Sequence, residues 1–256
     1  MSKDIVKHET GETALSVPDY GAFSGVGRDD VGQSGISIPY VNLLQALSPQ
    51  VAGGVDEVVD GAHPGLFYNT VSGILLPHVD FVIAHERETY VQWGPDDAGR
   101  GKKLAEHLPE SQSVRDAIKN AKQFNDLKIG NDSLVQTFFA LGLVINDPAN
   151  PSPAIFSISS TKIKPYRKYR TLRMQFAGGG PPVFAHMVRI SSVDDRNSAG
   201  KPFKNLQFSP ASGSIANSLL APDHVLFKLA AELRSAYLGG TAKVAEDSAK
   251  SEDVPF

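Results

Sequence analysis

Residues 134–145 read LVQTFFALGLVI, and this run decides the fold class. It holds β-branched and aromatic residues, carries no charge, and is ended by Asn146-Asp147-Pro148 and the proline-rich segment 150–153. Such a run, bounded by turn residues, predicts a long strand. Toward the C-terminus, residues 154–158, 183–190 and 203–208 predict three more, the last two separated by turn-forming residues 194–200. Toward the N-terminus, Leu66-Phe67-Tyr68 precedes Asn69-Thr70-Val71-Ser72-Gly73 and then Ile74-Leu75-Leu76, which predicts a hairpin. Residues 79–84 and 89–93 add two further strands.

Helices punctuate this β-rich pattern. Val41, Leu43, Leu44 and Leu47 predict a short helix stopped by Pro49. Residues 102–124 hold good helix formers, with Pro109 breaking the first part. Residues 222–238 predict an amphipathic helix with Pro222 in its first turn, an apolar stripe of Val225, Leu226, Leu229, Leu233 and Tyr237, and Gly239 as its cap. The expected class is a β-rich α+β fold in three parts: a flexible glycine-rich arm at 1–35, a body at 36–238, and an acidic tail at 239–256.

Composition narrows the chemistry. The 256 residues are 41% hydrophobic and 21% charged with a net charge of -3, ordinary for one large or two small domains. There is no cysteine, so disulfides, zinc-thiolate sites and a Cys nucleophile are ruled out and a reducing cytosol fits. No charged segment followed by an apolar run opens the chain, so no signal peptide is expected. No stretch of 18 apolar residues is present to span a membrane. The expected location is cytoplasmic, in the host cell if the protein is viral.

The mild net charge hides an asymmetry. Between Ser160 and Arg173 lie Lys162, Lys164, Arg167, Lys168, Arg170 and Arg173, no acid, and the interleaved Tyr166 and Tyr169. Extending to Phe208 adds Arg189, Arg196, Lys201 and Lys204, with Phe203 between the last two. Cations pair with phosphates, and aromatic rings stack on unpaired bases, so the pattern points to single-stranded nucleic acid. The bland alternative is a solvated basic helix, with Ile163, Tyr166, Tyr169, Leu172 and Phe176 turned to the core. A second patch comprises Arg87, Tyr90, Trp93, Arg100, Lys102 and Lys103. In a strand Tyr90 and Gln92 share one face while Val91 and Trp93 share the other, and Trp93 equally suits a core. The Gly99-Arg100-Gly101-Lys102-Lys103 loop fails as a phosphate loop, for want of a glycine five positions before Gly101 and of Ser or Thr after Lys102.

Catalytic signals are missing at the level of motifs. The seven histidines show no metal-type pairing, and there is no Gly-x-Ser-x-Gly elbow. Asp96-Asp97 and Asp194-Asp195 read as turn chemistry. A non-enzymatic protein needing no metal or cofactor is expected.

The sequence closes on Glu252-Asp253-Val254-Pro255-Phe256, an acidic pair and a large apolar ring after a polar stretch. This segment resembles the C-terminal tip of bacterial single-stranded DNA-binding proteins, where acids precede Ile-Pro-Phe. That resemblance implies recruitment of replication and repair proteins through these five residues. Residues 64–70, Tyr90-Val91-Gln92-Trp93 and residues 159–164 are similar to a group of tailed-bacteriophage proteins associated with single-stranded DNA binding. This second resemblance, over roughly residues 36–210, implies an OB-fold-like barrel elaborated with helices. The expected function is binding and protection of single-stranded DNA during phage replication, recombination or repair, with self-association allowed. The rivals are a phage structural or assembly protein and a recombination or nuclease accessory protein.

Overall fold

The computed structural model describes residues 37–53, 57–94, 101–123, 126–176, 180–197 and 199–240, with the backbone of Lys243–Val244. The N-terminal arm, Arg100 and the tip at 252–256 lie outside the described residues. The first half runs β1 (Ser37–Ile38), β2 (Val41–Leu43), α1 (Pro49–Ala52), β3 (Phe67–Asn69), β4 (Leu75–Leu76), β5 (His78–Gly94), β6 (Lys102–His107), α2 (Gln112–Asn120) and β7 (Lys128–Ile129). The second half runs β8 (Asp132–Val144), β9 (Ser152–Ser159), α3 (Ile163–Gln175), β10 (Met187–Arg196), β11 (Pro202–Pro210), α4 (Val225–Leu238) and β12 (Lys243–Val244).

The run at 134–145 is the spine of β8, which pairs antiparallel with β5 on one side and with β9 on the other. β10 pairs with β5, and β11 with β10, giving a curled five-strand antiparallel half-barrel in the order β11-β10-β5-β8-β9. The short β6 and β7 extend its far end. Residues 79–84 and 89–93 are therefore parts of one 17-residue strand, not two. The charged stretch His85-Glu86-Arg87-Glu88 between them is strand as well, bent by an irregularity between Ile83 and His85. This bulge reverses which residues face which side. Before it Val79, Phe81 and Ile83 point into the main core; after it Glu86 points that way, and His85 faces Tyr237 on α4. Gly142 sits opposite Ile83, where a Cβ would meet the Val82 carbonyl oxygen at 2.2 Å and the Phe81 ring at 2.6 Å. Only glycine lets the bulged strands approach so closely.

The concave side holds the main core, including Phe67, Phe81, Phe138, Phe156, Ile158, Ile190 and Leu206. A second sheet, β2-β3-β4, spans the two edges of the half-barrel. At the β9 edge the Ile155 amide donates to the Pro39 carbonyl. At the β11 edge the Gln45 side chain donates to the Lys204 carbonyl and accepts from the Lys204 amide, at 2.9 and 3.0 Å, acting as a substitute strand. On the convex side α4 packs through Leu226 and Ala230 on Val82, Ala84, Leu143 and Ile145.

Several expected elements differ. Residues 41–43 form a strand rather than the start of a helix, burying Val41 and Leu43 in alternation while pairing with β3. Pro49 opens α1 instead of stopping a helix, because proline suits the first helical turn. Residues 102–107 are strand despite their helix-forming composition, since pairing with β5 outweighs intrinsic propensity, and the helix of that region spans only Gln112–Asn120. Val225 is exposed, and α4 begins after His224, whose Nδ1 accepts from the Leu226 amide. The hairpin at 67–76 forms as expected: the Asn69 side chain accepts from the amides of Val71 and Ser72 at 3.0 Å. Beyond Gly240, β12 pairs in parallel with β1, Ser37 beside Lys243. The tail segment expected at 239–256 thus begins with a strand contact.

Candidate nucleic-acid interface

α3 divides the six cations of 162–173 into two sets. Ile163, Tyr166, Tyr169 and Arg173 are buried, at spacings of three, three and four. Leu172, expected on that stripe, is 48% exposed. Three-residue steps drift about 60° per step around a helix of 3.6 residues per turn, so by the third step Arg173 has replaced Leu172 on the inner face.

Tyr166 is fully buried between Phe138 and Phe208 and donates its hydroxyl to Glu86 Oε1 at 2.6 Å. Burial, and then the Glu86 charge, push its phenol well above the ordinary range. Tyr169 is buried too, with its hydroxyl bonded to His186 Nδ1. Both tyrosines are core residues in this structure and offer no open face to a base. Arg173 is buried and reaches both Glu86 oxygens from Nη2 at 3.1 Å, while Arg170 Nε lies 3.6 Å from Glu86 Oε2, beyond hydrogen-bonding distance. Glu86 therefore neutralises two cations that the sequence assigns to phosphate.

The remaining set faces outward. Lys164, Arg167 and Lys168 are exposed, and no acid lies on α3. Arg167 is braced by a 2.8 Å bond from Nη2 to Gln136 Oε1, with its guanidinium 5.9 Å from the Phe138 centroid. The β10–β11 hairpin lies beside the start of this helix, where Asn205 Nδ2 donates to the Thr161 carbonyl at 3.5 Å and to Asp195 Oδ2 at 2.9 Å. Those bonds from Asn205 and from the Arg196 amide, with Lys164 adding its charge, hold the Asp195 carboxyl below the usual range. At the hairpin tip Lys201 is exposed and Arg196 Nη1 donates to the Gly200 carbonyl at 3.0 Å. Lys204 is paired with Asp194 at 2.7 Å, and Phe203 is half-buried. Lys162 is half-buried in the turn that leads into α3. Helix and hairpin thus bring Lys162, Lys164, Arg167, Lys168, Arg196 and Lys201 to adjoining surface.

The second patch is not part of this surface. Phe138 and Phe139 point to opposite faces of β8, as neighbours on a strand must. Arg167 and Arg170 lie over Phe138, whereas Arg87 and Lys103 lie over Phe139, at 5.4 and 6.0 Å from its centroid. Arg87 and Lys103 share Glu106, at 2.5 and 2.7 Å. Lys102 is exposed and Trp93 half-buried, opposite Lys103 and Ser133. Tyr90 is buried under α2 with Val114, Ala117, Leu127 and Leu134, which makes it a core residue. Glu86, Gln136 and His186 were not foreseen. Glu86 sits in a charged stretch that reads as a gap between strands, and its role comes only from the bulge.

A family model described as Pam3 phage gp34-like protein matches residues 8–243, most of the chain. The chain belongs to that family. It is accordingly a bacteriophage protein. No curated protein and no solved structure matches it. Among the described residues of this gp34-like chain, no helix is long and apolar enough to cross a membrane.

His186 gives the fold a pH dependence. Desolvation first, and the Arg173 charge second, lower its pKa from 6.5 to about 4. The folded state keeps it neutral between those values while the unfolded chain binds a proton, so stability is complete above 6.5 and falls as pH drops toward 4. At about 1.4 kcal/mol per pH unit the loss approaches 3 kcal/mol. Urea denaturation of the wild type and of His186→Gln across this range should show the variant's deficit shrinking on acidification. A pH-independent difference contradicts the assignment.

Proposed function

We propose that this gp34-like protein binds single-stranded DNA without strong sequence preference during phage replication, recombination or repair. The observation that carries the reading is the outward face of α3, a helix without acids of its own, with Lys164, Arg167 and Lys168 beside the hairpin cations Arg196 and Lys201. The order of elements supports it. β5, β8 and β9 form a meander, α3 follows, and β10 returns to pair with β5 before turning into β11. We read this as a five-strand oligonucleotide/oligosaccharide-binding barrel, partly open and bridged by the β2-β3-β4 sheet. In such barrels the loop between the fourth and fifth strands contributes to the ligand surface, and here that loop is the β10–β11 tip. Phosphate contacts to the cations supply a sequence-independent, salt-sensitive affinity. No catalytic group is needed for this role.

The segment Glu252–Phe256 is proposed as the recruiting tip for replication and repair proteins. Removing residues 248–256 should abolish partner capture from host extract and leave oligonucleotide binding in place. The DNA-binding reading itself is tested by gel shifts of one sequence in single-stranded and duplex form at several salt concentrations. Tighter binding of the single strand at every salt is expected. Equal or better binding of the duplex, or weak salt-insensitive binding with spontaneous self-assembly, overturns the reading in favour of a structural protein.

A further inference from the structure

A polar relay that uses none of the α3 cations joins β5 and β8 to the insertion between them. Asp132 Oδ2 accepts from Gln92 Nε2 at 2.6 Å, Gln92 Oε1 lies 2.9 Å from His107 Nε2, and His107 Nδ1 lies 3.2 Å from Ser113 Oγ. With the His107 ring neutral, these contacts set one proton order along the relay. Asp132 accepts only, so the Gln92 amide turns its nitrogen to Asp132 and its oxygen to His107. That oxygen requires a hydrogen on Nε2, which leaves Nδ1 of the neutral ring as an acceptor for the Ser113 hydroxyl. The four side chains come from three strands and one helix: β5, β6, β8 and the first turn of α2.

We propose that Ser113 is an activated nucleophile toward small carboxylic esters, with His107 as its general base and Gln92 as the residue that fixes the His107 tautomer. An amide oxygen orienting the imidazole of a nucleophile–histidine pair is a sufficient third member of such a set. Ser113 and His107 are both half-buried, so a small ester reaches the hydroxyl from solvent. The side chain of Ser111, the N-cap residue of α2, makes no capping bond and lies 3.3 Å from Ser113 Oγ, which leaves the first-turn amides of this helix without a side-chain competitor. In the acylation step Ser113 Oγ bonds to the carbonyl carbon and its proton moves to His107 Nδ1. The ester C–O bond then breaks and the leaving alcohol takes that proton. Water, deprotonated by the same nitrogen, cleaves the acyl-serine and returns the proton to Ser113.

The test is covalent labelling of the full chain with a fluorophosphonate, which reports the nucleophile directly, beside turnover of p-nitrophenyl acetate. Peptide mass mapping should place the label on Ser113, and Ser113→Ala should remove it while its thermal melt stays cooperative. His107→Ala should slow labelling by about 100-fold or more, the usual contribution of a general base, and added imidazole should restore part of the rate. No label on Ser113 in the wild type, or equal labelling of a folded His107→Ala protein, overturns the proposal. Because Ser113 and His107 are not among the α3 cations, either result leaves the DNA-binding reading standing.

Discussion

Glu86→Gln is expected to destabilise the protein by about 3–5 kcal/mol, the range for removing one partner of a buried ion pair. Glu86 accepts from the Tyr166 hydroxyl at 2.6 Å and from Arg173 at 3.1 Å, and attracts Arg170. Glutamine keeps the shape and one acceptor but leaves the buried Arg173 charge uncompensated. Urea denaturation measures the loss, and a cost below about 1 kcal/mol would show that solvent screens the cluster. The effect should be strongly coupled. In Glu86→Leu/Arg173→Met the deficit should be smaller than the sum of the two single changes, because the charge left behind is removed with its partner.

Phe156→Ala should cost about as much, 3–5 kcal/mol, for a different reason. The Phe156 ring stands edge-on to Phe81 at 5.1 Å and to Phe67 at 6.2 Å. It joins β9 to β5 and to the small sheet that bridges the half-barrel, so its loss leaves a cavity where three elements meet. Phe156→Leu should recover much of the stability by refilling that volume. If thermal and urea melts show Phe156→Ala within about 1 kcal/mol of wild type, the bridging sheet does not share the core described here.

The β-rich class was readable because strand signals survive where a residue run is long and uncharged, as at 134–145, or where a turn residue bonds its own backbone, as Asn69 does. The reading failed where tertiary contacts override local pattern. Four charged or ionisable residues, His85 to Glu88, disguise the middle of β5, since only the bulge lets Glu86 turn inward to buried arginines. Lys102–His107 has the composition of a helix and becomes a strand by pairing with β5. The basic run at 162–173 was plain in sequence, but composition cannot say which cations face inward. Tyr166, Tyr169 and Arg173 went to the core, and Lys164, Arg167 and Lys168 to the surface. The two basic patches were separable only once Phe138 and Phe139 were seen on opposite faces of β8.

The central claim is that the outward cations of α3 bind the phosphates of a single strand. The most direct measurement is fluorescence anisotropy of a labelled oligothymidine of about 30 nucleotides, ample for a single binding fold. It is titrated with the wild type and with Lys164→Ala/Arg167→Ala/Lys168→Ala from roughly 50 to 200 mM salt. The wild type should give a linear fall of log affinity with log salt. The folded triple variant should bind more weakly, with a slope shallower by about 2, at roughly 0.7 for each of three lost phosphate contacts. An unchanged slope in the variant, or wild-type binding that does not respond to salt, contradicts the account.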